Sequence, residues 1–302
     1  MLWIGSQAFV TRDGAGWRDV TPRGAISPAT GASIDGVVFS DPSDGWLIAS
    51  NCASAKGAVY RTHDGGRGWS RHVFHAHTCA AGANFVLDVL NRQTAWVVQN
   101  EPTGSFARLY RTRDGGGSWR AIDERLPDLG SVAFADSSRG WLAGSRLFRT
   151  VNGGKSWSRQ TLQAPPGYGG KLRALSRMFF FGRTGVVAAE YYRKRDILAF
   201  YRTSDTGGHW RLVSTVPGAG AYVFPQFTMS AVSASTVWLL TSGGRPVANV
   251  TTDGGRHWSR HALNQQFFAP VAVSARVAAA SNFHGLPYIT RDGGRTWRLL
   301  RL

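Results

Sequence analysis

Short apolar runs recur along this chain, and polar turns rich in glycine separate them. One kind of run begins with tryptophan, as in Trp46–Ile48, Trp96–Val98 and Trp238–Leu240. A second kind precedes it, as in Val37–Phe39 and Phe85–Leu87. Short runs that are bounded by turns and rich in aromatic and β-branched residues are typical of buried strands. The pattern therefore predicts an all-β fold built from many short strands.

A turn motif of the form Thr-x-Asp-Gly-Gly-x-x-Trp follows a third predicted strand in every repeat, as after Val59–Thr62, and a fourth strand such as Trp69–Val73 follows it. Successive motif tryptophans are about 40 to 50 residues apart, which is the length of one four-stranded propeller blade. One copy carries Asn for Asp, and the copy nearest the N-terminus is one residue shorter. The motif residues are Asp13, Asp64, Asp114, Asn152, Asp205, Asp253 and Asp292, with Trp17, Trp69, Trp119, Trp157, Trp210, Trp258 and Trp297.

This motif resembles the Asp-box of BNR repeats, Ser/Thr-x-Asp-x-Gly-x-Ser/Thr-Trp, and the match from Thr290 to Trp297 is complete. The resemblance covers the whole chain and implies a β-propeller with one blade per copy. We therefore expect a seven-bladed β-propeller that forms a single domain over residues 1–302. The resemblance also implies that the boxes lie on the face away from the functional site.

The first repeat is shorter than the others. Residues 2–5, 8–11 and 17–20 predict a second, a third and a fourth strand, with no innermost strand before them. We expect an incomplete first blade over 1–20 and six four-stranded blades over 34–302. An open inner edge is unfavourable, so we also expect the natural chain to begin further upstream.

The residue types of the motif suit a structural role in a tight hairpin. The Asp or Asn oxygen can accept hydrogen bonds from backbone N–H groups of the turn. Glycines allow the left-handed backbone of such a turn, and the indole can be buried between blades. We expect none of the box residues to be catalytic.

The formal net charge is +17, because 35 Lys and Arg residues outnumber 18 Asp and Glu residues. Basic surfaces bind acidic proteins, anionic lipid or nucleic acid. The arginines are spread along the chain, which favours a dispersed basic surface over a dedicated anionic partner and makes nucleic acid an unlikely ligand. No apolar stretch reaches the roughly 18 residues of a membrane-spanning helix, and Met1–Gly5 does not have the pattern of a secretory signal.

Ligands of propellers usually bind on the face that carries the outer-to-inner and the second-to-third strand loops. The sequence places a cluster of aromatic, acidic and basic residues there, which suits recognition of an acidic or carboxylate group. A solvated loop is the alternative interpretation. The candidate binding residues are Glu190, Tyr192, Arg193, Lys194, Arg195, Arg245 and His284.

Both cysteines, Cys52 and Cys79, fall in loops of this face within one predicted blade. The topology allows a disulfide, which would indicate an oxidising compartment; two separate thiols are the alternative. A zinc site that adds His75 and His77 is less favoured, because the spacing matches no tight zinc pattern. We expect no metal and no cofactor.

The strings before the boxes, Tyr60–Thr62, Tyr110–Thr112, Phe148–Thr150 and Tyr201–Thr203, resemble those of the photosystem II assembly-factor (Ycf48/HCF136-like) group and its wider bacterial relatives. The resemblance implies a non-catalytic, protein-binding scaffold that is exported to the periplasm or the cell exterior, and it does not imply photosynthesis. We expect a monomer that binds a protein or an acidic ligand.

Sialidases also carry Asp-boxes, so an exo-glycosidase is the alternative function. The chain lacks their Arg-Ile-Pro string, and Glu190 with Tyr192 imitates their Tyr–Glu pair only weakly. Glycosidases need two suitably separated carboxyl groups, and the sequence singles out no pair. The candidate carboxyl groups outside the boxes are Asp35, Asp88, Glu101, Glu124, Asp128 and Glu190.

Overall fold

The computed structural model describes residues 2–4, 7–11, 16–23, 32–51, 56–75, 84–101, 106–168, 170–192, 196–216, 227–241, 245–282 and 284–300. These residues form 28 strands, which pair antiparallel within seven sheets. Within this described part, no helix is both long and apolar enough to cross a membrane. The fold class is an all-β β-propeller, as the sequence predicts.

The strands form one small N-terminal sheet and six larger sheets, which we name blades A to F. The N-terminal sheet holds β1 (Leu2–Ile4), β2 (Gln7–Val10) and β3 (Arg18–Asp19). Blade A holds β4 (Ala32–Phe39), β5 (Gly45–Asn51), β6 (Lys56–Thr62) and β7 (Ser70–His75). Blade B holds β8 (Asn84–Val89), β9 (Ala95–Glu101), β10 (Phe106–Thr112) and β11 (Arg120–Asp123). Blade C holds β12 (Ser131–Phe134), β13 (Gly140–Ala143), β14 (Leu147–Thr150) and β15 (Ser158–Gln160).

The last three blades follow the same order. Blade D holds β16 (Lys171–Leu175), β17 (Phe179–Phe181), β18 (Thr184–Tyr192), β19 (Asp196–Thr203) and β20 (Arg211–Val216). Blade E holds β21 (Phe227–Ala231), β22 (Val237–Thr241), β23 (Val247–Thr251) and β24 (Ser259–Ala262). Blade F holds β25 (Phe267–Ala272), β26 (Ala278–Asn282), β27 (Pro287–Thr290) and β28 (Arg298–Leu299).

The described residues form six blades rather than the expected seven, so the expected count is not confirmed. The strands β1 to β3 begin and end near the predicted bounds, but each has at most four residues and the described residues add no fourth strand to them. They form a small sheet, and the expectation of an incomplete first blade is not supported. Blade D also departs from the expected four strands, because β16 and β17 pair with opposite ends of β18.

The chain divides into two compact units: Met1–Gly140 with Thr150–Trp157 and Leu302, and Trp141–Arg149 with Ser158–Arg301. The expectation of a single domain stays a prediction. In the first unit, Trp46 and Ile48 of blade A pack with Phe85 and Leu87 of blade B. The second strands β5 and β9 are buried along almost their whole length. Burial on both faces explains why their sequences are continuous apolar runs rather than alternating ones.

In the second unit, the main core lies between blades D and E. Phe200 and Leu198 of blade D pack with Met229 and Leu239 of blade E, and all four are buried. Blades E and F share a smaller cluster around the fully buried Trp238. These cores hold the strand ends, and therefore the loops that follow them, in fixed positions.

Candidate functional site

The Asp-box turns share one hydrogen-bond pattern. In blade A, the Thr62 hydroxyl donates to Asp64 Oδ1 at 2.8 Å and accepts the Gly66 N–H at 2.9 Å. Asp64 Oδ1 also accepts the Gly68 N–H at 2.9 Å. The same three bonds recur in the other five described boxes, at Asp114, Asn152, Asp205, Asp253 and Asp292. Asp13 lies outside the described residues.

Hydrogen bonds to the ionised carboxylate favour the charged form, so the pKa of each described box aspartate lies below its ordinary value. For Asp114 the largest cause is the hydroxyl of Ser118, which donates to Oδ2 at 2.6 Å. For Asp205 and Asp253 it is a backbone N–H, from His209 and His257 respectively. These side chains stabilise the turn. Their pKa values are depressed, whereas a general acid needs a pKa near the working pH.

The box tryptophans are partly rather than fully buried. Trp69 meets Phe39 edge-on at 6.4 Å, and Trp119 meets Trp46 in the same way at 6.3 Å. The fully buried indoles belong to the second strands instead, at Trp46, Trp96, Trp141 and Trp238. The remaining box tryptophans, Trp17, Trp157, Trp210, Trp258 and Trp297, are also half-buried.

The predicted site on the loop face centres on the end of β18. Glu190 and Tyr192 lie two residues apart and therefore on one face of the strand. Glu190 is buried, whereas Tyr192 is 50% exposed. Tyr192 pairs with Lys171 on β16 and with Asp196 on β19. The intervening Arg193, Lys194 and Arg195 connect β18 to β19 and lie outside the described residues.

Arg173 joins this cluster, although the sequence analysis did not select it. It occupies an irregularity in the register of β16, between Leu172 and Ala174. Bulges of this kind often re-aim a side chain, and here the Arg173 guanidinium lies 5.5 Å from the centre of the Tyr192 ring. An exposed aromatic ring with a cation over its face and Lys171 beside it forms a basic, partly apolar surface. We name Lys171, Arg173 and Tyr192 the β18-end surface.

A buried tyrosine network anchors the loop that precedes β16. The Tyr201 hydroxyl donates to the Gln163 carbonyl oxygen at 2.6 Å and lies 2.9 Å from the Tyr191 hydroxyl. Tyr168 donates to the Tyr191 carbonyl oxygen at 3.3 Å. Burial raises the pKa of both Tyr191 and Tyr201. The network keeps both phenols neutral and fixes the loop against β18, so it positions the β18-end surface.

The other selected residues lie on different blades. Arg245 is exposed just before β23, and His284 is exposed after β26. The backbone N–H of His284 donates to Asn282 Oδ1 at 3.1 Å, and the Asn282 amide donates to Gln265 at 3.1 Å. Asn282 therefore holds this loop in place. Cys52, Cys79 and His77 lie outside the described residues, as does the His75 side chain, so the disulfide stays a prediction.

Blade B carries a second polar cluster at the same end of its strands. Glu101 is 1% exposed and accepts hydrogen bonds from Gln99 at 2.5 Å and from Arg108 at 3.2 Å. Arg108 also pairs with Glu124 at 3.0 Å. This arrangement fixes the Glu101 carboxylate between an amide and a guanidinium, which suits an architectural role.

The candidate carboxyl groups of the inner strands bind backbone. Asp88 Oδ2 accepts the Phe134 N–H at 2.7 Å, and Asp35 accepts the more distant Phe85 N–H at 3.5 Å. Burial raises the pKa of Asp35 to about 6, although Ser50, Phe85 and Ser33 act in the opposite direction. Asp128 accepts the Leu129 N–H. The described residues contain no group of three or more His, Cys, Asp and Glu side chains that could hold a metal ion.

Comparison with known proteins agrees with this class of fold and turn. The family model for the BNR/Asp-box repeat matches residues 288–299. No curated protein matches the chain in sequence. The fold is a β-propeller, and residues 288–299 match the BNR/Asp-box repeat.

Several solved structures share the fold. A structure described as YCF48 bound to D1 peptide has a TM-score of 0.58 and 18% identity over 92% of this chain and 87% of that one. The GH74 xyloglucanase from Xanthomonas campestris has a TM-score of 0.63 and 14% identity over 98% of this chain, which spans 52% of that chain. The BP39L lectin from Burkholderia pseudomallei has a TM-score of 0.56 and 14% identity over 98% of this chain and 95% of that one. At these identities the likeness concerns the fold alone.

Proposed function

We propose that this propeller is a non-catalytic binding module that holds an acidic peptide segment of a partner protein at the β18-end surface. The observation that carries the proposal is the half-exposed Tyr192 with the Arg173 guanidinium over its ring. Such a surface offers an apolar platform and a charged group to the same ligand. The basic loop residues Arg193, Lys194 and Arg195 follow directly in the chain and add positive charge to this end of blade D.

The structural relatives support this proposal in a limited way. One of them is described as bound to a peptide, which shows that a propeller of this fold can hold a peptide ligand. The net charge of +17 would attract acidic partners and raise their association rate at low salt. We further propose that the protein acts as a monomer in the periplasm or outside the cell.

The proposal is tested with fluorescently labelled peptides of about twelve residues, rich in Glu and aromatic residues, and with matched peptides that carry Lys for Glu. We expect the acidic peptides alone to bind, with an affinity that falls as salt rises. Replacing Arg193, Lys194 and Arg195 by Ala should weaken binding about tenfold or more, and Tyr192→Ala should weaken it without changing the salt dependence.

The matched control removes three exposed charges from other surface turns, with Arg113→Ala, Lys155→Ala and Arg276→Ala. The first two lie in box turns, at the opposite end of their strands from the second-to-third loops. Equal losses in both triple variants would show that binding depends on net charge alone, and would reject the proposed surface.

A glycosidase is the second candidate, because the GH74 xyloglucanase shares the fold, and Asp35 is the carboxyl group to test first. A carboxyl group that remains protonated to about pH 6 could donate a proton to a leaving group. Hydrolysis of aryl glycosides by the wild-type protein, lost in Asp35→Asn, would support this function. Absence of hydrolysis across a panel of aryl glycosides, with intact peptide binding, would reject it.

A further inference from the structure

A groove at the Asp-box end of blade D is unusually basic. It has a volume of about 350 Å³ and lies between the box turns of blades D and E, within the second unit. Three arginines line it, Arg202 from β19, Arg211 from β20 and Arg256 from the next box. It lies at the opposite end of β19 from the loop of residues 193–195 and is therefore separate from the β18-end surface.

Two of these arginines directly face each other across neighbouring strands. Arg202 and Arg211 are register partners in the pairing of β19 with β20. Like charges placed opposite each other destabilise a sheet pair. Neither guanidinium forms an ion pair with a carboxylate of the described chain. This charge repulsion would be relieved by an anion bound between the two side chains.

Several other polar groups of the groove already form hydrogen bonds within the described chain. The only carboxylate in its lining, Asp205, accepts bonds from the Thr203 hydroxyl and the His209 N–H, and its Oδ2 lies 2.6 Å from His209 Nδ1. Arg256 donates through one nitrogen to the Asp253 carbonyl oxygen at 2.9 Å, which fixes its direction and leaves its other donors available. The Arg202 guanidinium reaches across to the adjacent box, where a Cβ added to Gly254 would lie 2.5 Å from it.

Two comparable grooves differ in their charge. The groove beside the box of blade A contains Arg18 and Arg67, but also Asp41 and Asp64. The groove between the boxes of blades E and F contains two arginines, two aspartates and two histidines. Of these three grooves, the one lined by Arg202, Arg211 and Arg256 alone has an excess of arginine over carboxylate.

We propose that this groove binds a phosphate or sulfate group. Arginine recognises tetrahedral oxyanions through paired N–H donors, and three guanidinium groups match the double negative charge of such a group. The volume exceeds that of a bare ion, and it lies in the range of small-ligand sites. The group can therefore come as a free ion or as the ester of a small sugar.

Isothermal titration calorimetry at low ionic strength in a chloride buffer tests this site, with inorganic phosphate, sulfate and glucose 6-phosphate as probes. We expect saturable one-to-one binding, and a loss of tenfold or more in Arg211→Gln. An ester that binds about as tightly as inorganic phosphate would indicate a site for the free ion, whereas an ester that binds at least tenfold more tightly would indicate that the sugar also makes contacts. Both outcomes support the site.

Arg260→Gln is the matched control. Arg260 is an exposed arginine on β24, the equivalent outermost strand of blade E, and it does not line the groove. Arg211 is likewise exposed, so both variants should fold, which a melting temperature without ligand no lower than that of the wild type would verify. Equal losses in the two variants, or the absence of saturable phosphate binding in the wild type, would overturn the proposal.

Discussion

Asp35 shows how one half-buried side chain couples this fold to pH. Its pKa is raised to about 6, mainly by burial, so the folded protein holds this proton more tightly than the unfolded chain does. The stabilisation from the protonated form is fully present below the unfolded pKa near 4 and is lost as pH rises through about 6. Asp35→Asn keeps a neutral side chain at every pH. We therefore expect it to lack this loss, and to be more stable than the wild type at pH 7.5 by on the order of 1–2 kcal/mol.

Chemical denaturation of both proteins at pH 5 and pH 7.5 measures this effect. Other carboxylates contribute equally to the two proteins, so the difference between them isolates Asp35. A wild type that gains stability over Asp35→Asn as pH rises would contradict the assignment of a raised pKa.

Position 207 requires a glycine for two reasons, which are its left-handed backbone conformation and the Trp141 ring that lies against it. Its φ is 69°, in the left-handed region, and a Cβ added there would overlap the Trp141 ring. Trp141 is fully buried and cannot move aside. We expect Gly207→Ala to lower the free energy of unfolding by about 2–4 kcal/mol, measured by urea denaturation.

Gly182→Ala separates the two causes. Gly182 has a similar φ of 61°, but a Cβ added there meets nothing within 4 Å. Gly182→Ala should therefore lower the free energy of unfolding by about 1 kcal/mol, which is the cost of placing an alanine in the left-handed backbone conformation. Similar losses in the two variants would show that contact with Trp141 contributes nothing.

At the scale of one element, the Asp-box turn depends on its threonine as much as on its acid. The hydroxyl of Thr203 donates to Asp205 and accepts the buried Gly207 N–H. Thr203→Val removes both bonds and leaves that N–H unsatisfied, so we expect a loss of about 2–3 kcal/mol in unfolding free energy. Thr203→Ser retains the hydroxyl and should lose less than half as much. A loss in Thr203→Ser as large as that in Thr203→Val would show that the methyl group contributes as much as the hydroxyl, and unchanged stability in Thr203→Val would contradict the role of the hydroxyl.

In the blade C box a carboxylate can be introduced rather than a hydrogen-bonding group removed, because Asn152 stands where the other described boxes have Asp. The Asn152 amide donates to the Ser156 hydroxyl, whereas in blade B the Ser118 hydroxyl donates to the Asp114 carboxylate. We expect Asn152→Asp to stabilise the fold by roughly 0.5 kcal/mol at pH 7, since charged acceptors form stronger bonds. The hydrogen bonds would depress the carboxyl pKa, so this gain should begin to fall below the unfolded pKa near 4 and should be lost as pH drops through the lower pKa of the folded state. A gain that stays constant between pH 5 and pH 2 would contradict the carboxylate mechanism.

The strands were predictable where burial leaves a strong local signal. The runs that begin with Trp46, Trp96 and Trp238 lie in strands buried on both faces, so their sequences are apolar without interruption. The division of the innermost strand of blade D into β16 and β17 was not predictable, because it depends on which part of β18 each segment meets. Pairing of this kind is set by distant residues, and the local sequence does not encode it.

The candidate site likewise has residues that the sequence predicts and residues that it does not. Glu190 and Tyr192 were selected because their residue types and spacing are visible in the chain. The partners that position them were missed, because Tyr201 bonds to a carbonyl 38 residues earlier and Arg173 reaches Tyr192 through a bulge. Tyr201 also belongs to a repeat string, and such strings predict blade structure rather than a functional site.

For the whole molecule, repeats identified the class of fold but did not fix the number of blades. A box motif specifies a hairpin turn, whereas a blade also needs an inner strand. The motif from Thr11 to Trp17 falls between β2 and β3 in the chain, and these strands belong to a sheet of three short strands. The number of motifs therefore exceeds by one the number of blades that the described residues form.

The charge of +17 should destabilise the folded state through repulsion. An exposed arginine follows the box tryptophan by one or two residues in every repeat, at Arg18, Arg71, Arg120, Arg159, Arg211, Arg260 and Arg298. These arginines lie on the outermost strands, where charged side chains also discourage pairing with the edge of another sheet.

Sodium chloride screens such surface repulsion, so we expect the melting temperature to rise by a few degrees between 20 and 300 mM. Chloride is the appropriate salt, because phosphate and sulfate are the proposed ligands of the groove at Arg211. Replacing Arg71, Arg159, Arg260 and Arg298 by Gln should reduce this salt dependence and increase aggregation through the sheet edges. A melting temperature that falls with salt would show that attractive ion pairs, such as Arg92 with Asp41, outweigh the repulsion.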